Sequence, residues 1–162
     1  RFRHASKELL TYAFTRELTL KPIVLFIRLK FIDRRRRIVD FYETDGGRIC
    51  KTFKDDCVVR SISVVLRVPY RDVFEGLMKL GLEMAAYPNH DKVWINYIES
   101  KGLVKRKPPR DEAGKMIRLQ DWNFKGRAVV RNSGHLTAVD GGVVIDDWDC
   151  RYRPVNSYWQ FT

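Results

Sequence analysis

The chain has 162 residues, of which 44% are apolar and 12% aromatic, and a formal charge of +11. That length and apolar content fit one folded domain with a real core and exclude a disordered chain. No run reaches the ~18 uncharged apolar residues of a membrane span; the nearest, 22–32, is broken by Arg28 and Lys30.

The positive charge favours polyanions, whether nucleic acid, an acidic protein or anionic lipid, or else solvates the faces of a basic protein. Its densest point is Arg34, Arg35, Arg36 and Arg37, with a second cluster of Lys101, Lys105, Arg106, Lys107 and Arg110. No helix-turn-helix, zinc finger or aromatic RNA platform accompanies it. Three cysteines, Cys50, Cys57 and Cys150, make a poor disulfide framework and point to a reducing compartment. No metal site is expected: there is no Cys-x-x-Cys pair, and His4, His90 and His135 do not pair with a cysteine at ligand spacing. The chain opens on Arg, with no secretory signal pattern, which is compatible with a start inside a longer precursor.

In chain order, residues 5–18 carry Leu9, Leu10, Ala13, Phe14 and Leu18 near helical spacing, with Ser6 as a cap. Residues 23–32 alternate as a strand, Arg34 to Arg37 form a tight basic connection, and 38–42 return as a second strand. That strand ends at the Thr44-Asp45-Gly46-Gly47 turn. Residues 1–48 therefore read as a helix and hairpin extension without a clear linker, either attached to a main domain at 49–162 or part of that same domain.

Residues 55–67 read as a buried helix with Asp55 or Asp56 at its N-cap and Val58, Ile62, Val65 and Leu66 as its stripe. Its β-branched residues lower intrinsic helicity, so packing must hold it. Pro69 opens a second helix through Val73, Leu77 and Leu80, and a third runs over about 91–100 before Gly102. After Pro108-Pro109 the strands 127–131, 135–140, 143–148 and 155–161 follow one another as a meander. Helices followed by a meander make an α+β fold.

Chemistry concentrates at three positions. Cys57 stands at a helix start, where orphan N–H groups and the dipole favour a thiolate. His135 opens a hairpin that also carries Asp146. A two-residue loop at Asp140-Gly141 sets Asp146 opposite His135, and one at Gly141-Gly142 sets it diagonally on the same face. A three-residue loop exchanges Asp146 for Asp147. The carboxylate then orients the imidazole, and the imidazole serves the sulfur. The Cys57 backbone N–H is a natural oxyanion donor.

The stretches Asp55-Asp56-Cys57-Val58-Val59-Arg60-Ser61-Ile62-Ser63 and Ala128-Val129-Val130 through His135 to Asp146-Asp147-Trp148-Asp149 resemble papain-like cysteine peptidases. They are most similar to small bacterial and phage-encoded proteins akin to bacteriocin-processing peptidases. The resemblance covers roughly residues 50–160. It implies Cys57 as nucleophile, His135 as general base and acid, and Asp146 as the orienting residue, in a papain-like α+β fold without a cofactor. It implies cleavage of a peptide or isopeptide bond through a thioester, or transfer of the acyl group to an amine, in the cytoplasm of a bacterium or infected cell or in a virion. Six residues before the nucleophile, where the family carries an oxyanion-donating Gln, stands Lys51, either an oxyanion partner or a surface charge. The alternative class is a catalytically silent module of the same fold that grips nucleic acid or an acidic protein through Arg34 to Arg37 and its other basic surface. A third is a component of a larger assembly held by residues 1–45.

Overall fold

The computed structural model describes residues 39–52 and 55–162, all within one compact unit, Asp33–Thr162. The expected helix at 5–18, the strand at 23–32 and the run Arg34 to Arg37 lie outside the described residues. Among those described, three helices, α1 (Cys57–Leu66), α2 (Tyr70–Glu83) and α3 (Asp91–Ser100), pack against a six-stranded mixed sheet. The strands are β1 (Asp40–Glu43), β2 (Leu103–Arg106), β3 (Arg127–Asn132), β4 (His135–Asp140), β5 (Val143–Asp146) and β6 (Ser157–Phe161). Their spatial order is β1-β5-β4-β3-β6-β2. Every pairing is antiparallel except that of β1 with β5. No helix among the described residues is long and apolar enough to cross a membrane.

The sheet is covered on both faces, which explains why β3 and β4 read as nearly continuous apolar runs. On one face Val129, Leu136, Ala138 and Trp159 meet Ile62, Val65, Leu77 and Ile98 of the helices. On the other, Ala128, Val130, Val139 and Val144 meet Val39, Leu119, Trp122, Cys150 and Val155. The second cover is an irregular excursion after β2, pinned by a 3-10 turn (Leu119–Asp121) and by Trp122 stacked on Phe124 with ring centroids 4.3 Å apart. Periodicity does not announce it, because it follows no period.

The helix α1 lies against β4 and is buried along most of its length, including Arg60, Ser61 and Ser63. That burial supplies what its β-branched sequence lacks in helix propensity. It ends at Arg67 in the left-handed region (φ 57°), and Pro69 caps α2.

The order of elements differs from the expectation in two places. The strand β2 at the sheet edge was absent from the sequence reading, since only Leu103 of its four residues is buried. The strand expected over 38–42 as one arm of a hairpin is β1, and it runs parallel to β5, with Phe41 aligned to Val144.

Candidate active site

Register places the acid and base. The loop between β4 and β5 is Gly141-Gly142, because Asp140 pairs with Val143. Both glycines hold positive φ (62° and 87°), the backbone of a two-residue primed turn. Of the three loops that the sequence left open, this one sets Asp146 diagonally to His135 on the same face. His135 Nε2 donates to Asp146 Oδ2 at 2.7 Å, which leaves Nδ1 for a second partner. Asp147 points to Arg48 Nη2 at 2.7 Å and Arg60 Nη2 at 3.0 Å instead.

Packing of α1 on β4 brings Cys57, the first residue of the helix, to the first residues of the strand. Burial pushes the Cys57 thiol pKa up, but the pull of the His135 ring and the Leu136 backbone N–H on the sulfur, with the charges of His135 and Arg60, brings it below its ordinary value. For His135, burial favours the neutral ring. Hydrogen bonds to Asp146, Cys150 and Cys57 override that and push its pKa up to about 11. The lowered thiol and the raised imidazole shift the pair toward thiolate and imidazolium. Burial likewise works against the Asp146 carboxylate, yet His135, Thr137 and Arg60 hold it below the usual range.

An ion network invisible in the sequence surrounds this trio. Arg60, three residues past the sulfur and buried, donates from Nε to Asp56 Oδ1 and from Nη1 to Asp146 Oδ1, each at 2.8 Å. Arg48 makes a forked contact with Asp56, Nε to Oδ2 at 2.7 Å and Nη2 to Oδ1 at 2.8 Å. Tyr70 donates to Asp56 Oδ2 at 3.0 Å. Asp56 does occupy the N-cap position, but its side chain makes no cap hydrogen bond; it faces the guanidiniums instead. Asp146 Oδ1 also accepts the Asp147 N–H at 2.8 Å.

The site opens to a cavity of about 340 Å³, lined among others by Asp55, Cys57, Arg60, His135, Asp147 and Trp148. The Trp148 ring sits tilted against the imidazole with centroids 5.1 Å apart, and the Arg153 guanidinium lies 4.9 Å from the Trp148 ring centroid. Lys51 stands elsewhere. Its ammonium pairs with Asp45, its side chain is 72% exposed, and it does not line the cavity. Arg34 to Arg37 lie outside the described residues. A cluster of one His, one Asp and one Cys with ligand atoms within 4.8 Å of one another also appears here: His135, Asp146 and Cys150. The sequence search missed it, because it looked for ligand spacing along the chain and these three meet through the sheet.

Comparison with known proteins found no matching family model, no matching curated protein and no matching solved structure.

Proposed function

We propose that this chain is a thiol hydrolase of papain-like arrangement that cleaves a peptide or isopeptide bond through a Cys57–His135–Asp146 site. One observation carries the proposal. A single imidazole is hydrogen-bonded to a buried carboxylate and acts electrostatically on a helix-opening cysteine sulfur that lines the same open cavity. A nucleophile opening a helix that packs on an antiparallel meander bearing the base and the acid supports the papain-like scheme. The parallel strand β1 is an addition to it.

In this reaction the Cys57 thiolate attacks the carbonyl carbon, and the Cys57 N–H at the start of α1 faces the developing oxyanion. His135 gives its proton to the leaving amine, forming a thioester. Water, deprotonated by His135, then cleaves the thioester and restores thiolate and imidazolium. An amine in place of water turns the same site to acyl transfer.

Alkylation of Cys57 by iodoacetamide across pH tests the assignment. An ordinary thiol of pKa about 8.5 is only on the order of 1% ionised at pH 6.5. Cys57 should react at pH 6.5 far faster than that fraction allows, and His135→Ala should return it to the ordinary curve. Wild-type labelling that already follows the ordinary curve refutes the hydrolase. Steeply salt-dependent polynucleotide binding alongside it would favour the silent basic module.

A further inference from the structure

We propose that Cys150, His135 and Asp146 form a zinc-binding site, and that zinc held there withdraws the His135–Asp146 pair from Cys57. Only the second half of this rests on the hydrolase reading; the metal site stands on its own ligands.

Cys150 has no part in the hydrolase chemistry, yet its thiol is fully buried against the catalytic pair. Its Sγ lies 3.7 Å from Asp146 Oδ2, and a ring nitrogen of His135 lies within 4.8 Å of both atoms. Thiolate, imidazole and carboxylate are the donor set that zinc takes most readily. Tetrahedral zinc with bonds of about 2.3 Å to sulfur and about 2.1 Å to oxygen sets those two atoms about 3.6 Å apart. The structure already holds them at 3.7 Å. The nitrogen–oxygen edge of the same tetrahedron is about 3.4 Å, so the ring and carboxylate must part from their 2.7 Å hydrogen bond. That is a small rotation of two side chains.

Charge and support agree. The Cys150 thiolate and Asp146 carboxylate cancel the two charges of the ion. Asp146 Oδ1 remains on Arg60 and on the Asp147 N–H, which fixes the ligand oxygen as supporting partners of metal ligands commonly do. Beside His135 in the sheet register, on the same face, stands Asn132. It is fully buried, and neither polar atom of its amide has a partner among the described residues. A buried amide without partners is rare and calls for a ligand or a water; its oxygen is a candidate for the fourth position. Binding releases the Cys150 thiol proton and the proton on His135 Nε2. The ring is then neutral and metal-bound, so it no longer offers Cys57 the positive charge that stabilises a thiolate and is a far weaker acid toward a leaving amine.

Cobalt(II) added to the full chain is the probe, because a thiolate ligand gives it a charge-transfer band and tetrahedral geometry gives it intense visible bands. Both are expected in wild type and in Cys57→Ser, and both are expected to vanish in Cys150→Ser. Asp146→Asn should lose them as well, so the assignment does not hang on the folding of one variant, and circular dichroism checks each fold. Zinc should displace cobalt one for one. Its affinity should fall at least about 100-fold in Cys150→Ser, since even an outer partner is worth 10–100-fold. No band in wild type, a band that survives Cys150→Ser, or one lost in Cys57→Ser overturns the site. Metal-free iodoacetamide labelling separates the two claims. Fast Cys57 labelling without a cobalt band sinks the zinc site alone, and a cobalt band with ordinary Cys57 labelling sinks the hydrolase alone.

Discussion

Replacing Arg60 with Met keeps an unbranched stem of similar packing and removes the guanidinium that joins α1 to the end of β5. Arg60 donates to three carboxylates, Asp56 and Asp146 at 2.8 Å and Asp147 at 3.0 Å, with its side chain only 5% exposed. Removing one partner of a buried ion pair costs about 3–5 kcal/mol, because the other charge stays in the interior. None of the three carboxylates is stripped bare. Asp56 keeps Arg48 and Tyr70, Asp146 keeps His135, and Asp147 keeps Arg48. The lower end of that range, about 3 kcal/mol, is therefore expected. Against a total stability of about 5–15 kcal/mol this is large, and at ~2–4 °C per kcal/mol it lowers Tm by roughly 6–12 °C. Equilibrium urea unfolding followed by tryptophan fluorescence measures it. Arg67→Met is the control: its pair with Asp140 is mostly exposed (69% and 30%), and its loss should cost no more than about 0.5 kcal/mol. An Arg60→Met protein within 1 kcal/mol of wild type, an outcome well below what a buried pair costs, would show that the network is ornamental.

Asp146→Asn should slow any amide hydrolysis by on the order of 100-fold or more, the usual worth of a positioned acid–base group, while Asp147→Asn stays within a few-fold. The reverse ranking would make Asp147 the orienting residue. Asp146→Asn should also flatten the acid limb of stability. The folded carboxylate titrates below its ordinary value of 3.8, so its contribution is present above about pH 4 and is lost as pH falls through the lowered value. Urea midpoints between pH 7 and pH 2 should converge for wild type and variant at the acid end; parallel curves would contradict the shift. Gly46→Ala meets two obstacles. Gly46 has φ of 62°, and a Cβ there would sit 3.2 Å from Cβ and Cγ of Arg60. The left-handed backbone alone costs about 1–2 kcal/mol, and pressure on the Arg60 stem should raise the loss further. A thermal midpoint unchanged from wild type would refute it.

Much of the site was legible because its logic is local. A helix-start cysteine, a strand-start histidine and an even-length glycine turn each leave a signature over a few residues. The apolar runs of β3 and β4 and the punctuation at Pro69, Gly102 and Gly141-Gly142 likewise placed most of the helices and strands. What escaped was written in the sheet, not the chain. Arg48 and Arg60 look like two more cations in a basic sequence, and only folding buries them against Asp56, Asp146 and Asp147. Lys51 was judged by its spacing from Cys57, whereas Asp45 across the preceding turn takes its charge. The strand β2 carries too few buried residues to show a pattern. Asp56 was expected to cap α1 because acidic residues commonly do, and in the folded chain two guanidiniums compete successfully for its oxygens.

The same network accounts for the lowered pKa of the Cys57 thiol better than the helix end does. Three carboxylates, Asp56, Asp146 and Asp147, face two guanidiniums, Arg48 and Arg60, which leaves one negative charge unmatched by arginine. The nearest group able to supply the missing proton is His135, whose ring already touches Asp146. Protonating it neutralises the cluster, and the imidazolium then stabilises the Cys57 thiolate on its other side. Asp147→Asn removes the surplus charge without touching the His135–Asp146 hydrogen bond, so the imidazolium should become easier to discharge. Imidazole resonances followed by NMR should titrate at lower pH in Asp147→Asn than the wild-type value of about 11. Superimposable titrations would mean that His135 holds its proton through Asp146 alone, and that the arginine network serves the fold without setting the charge of the nucleophile.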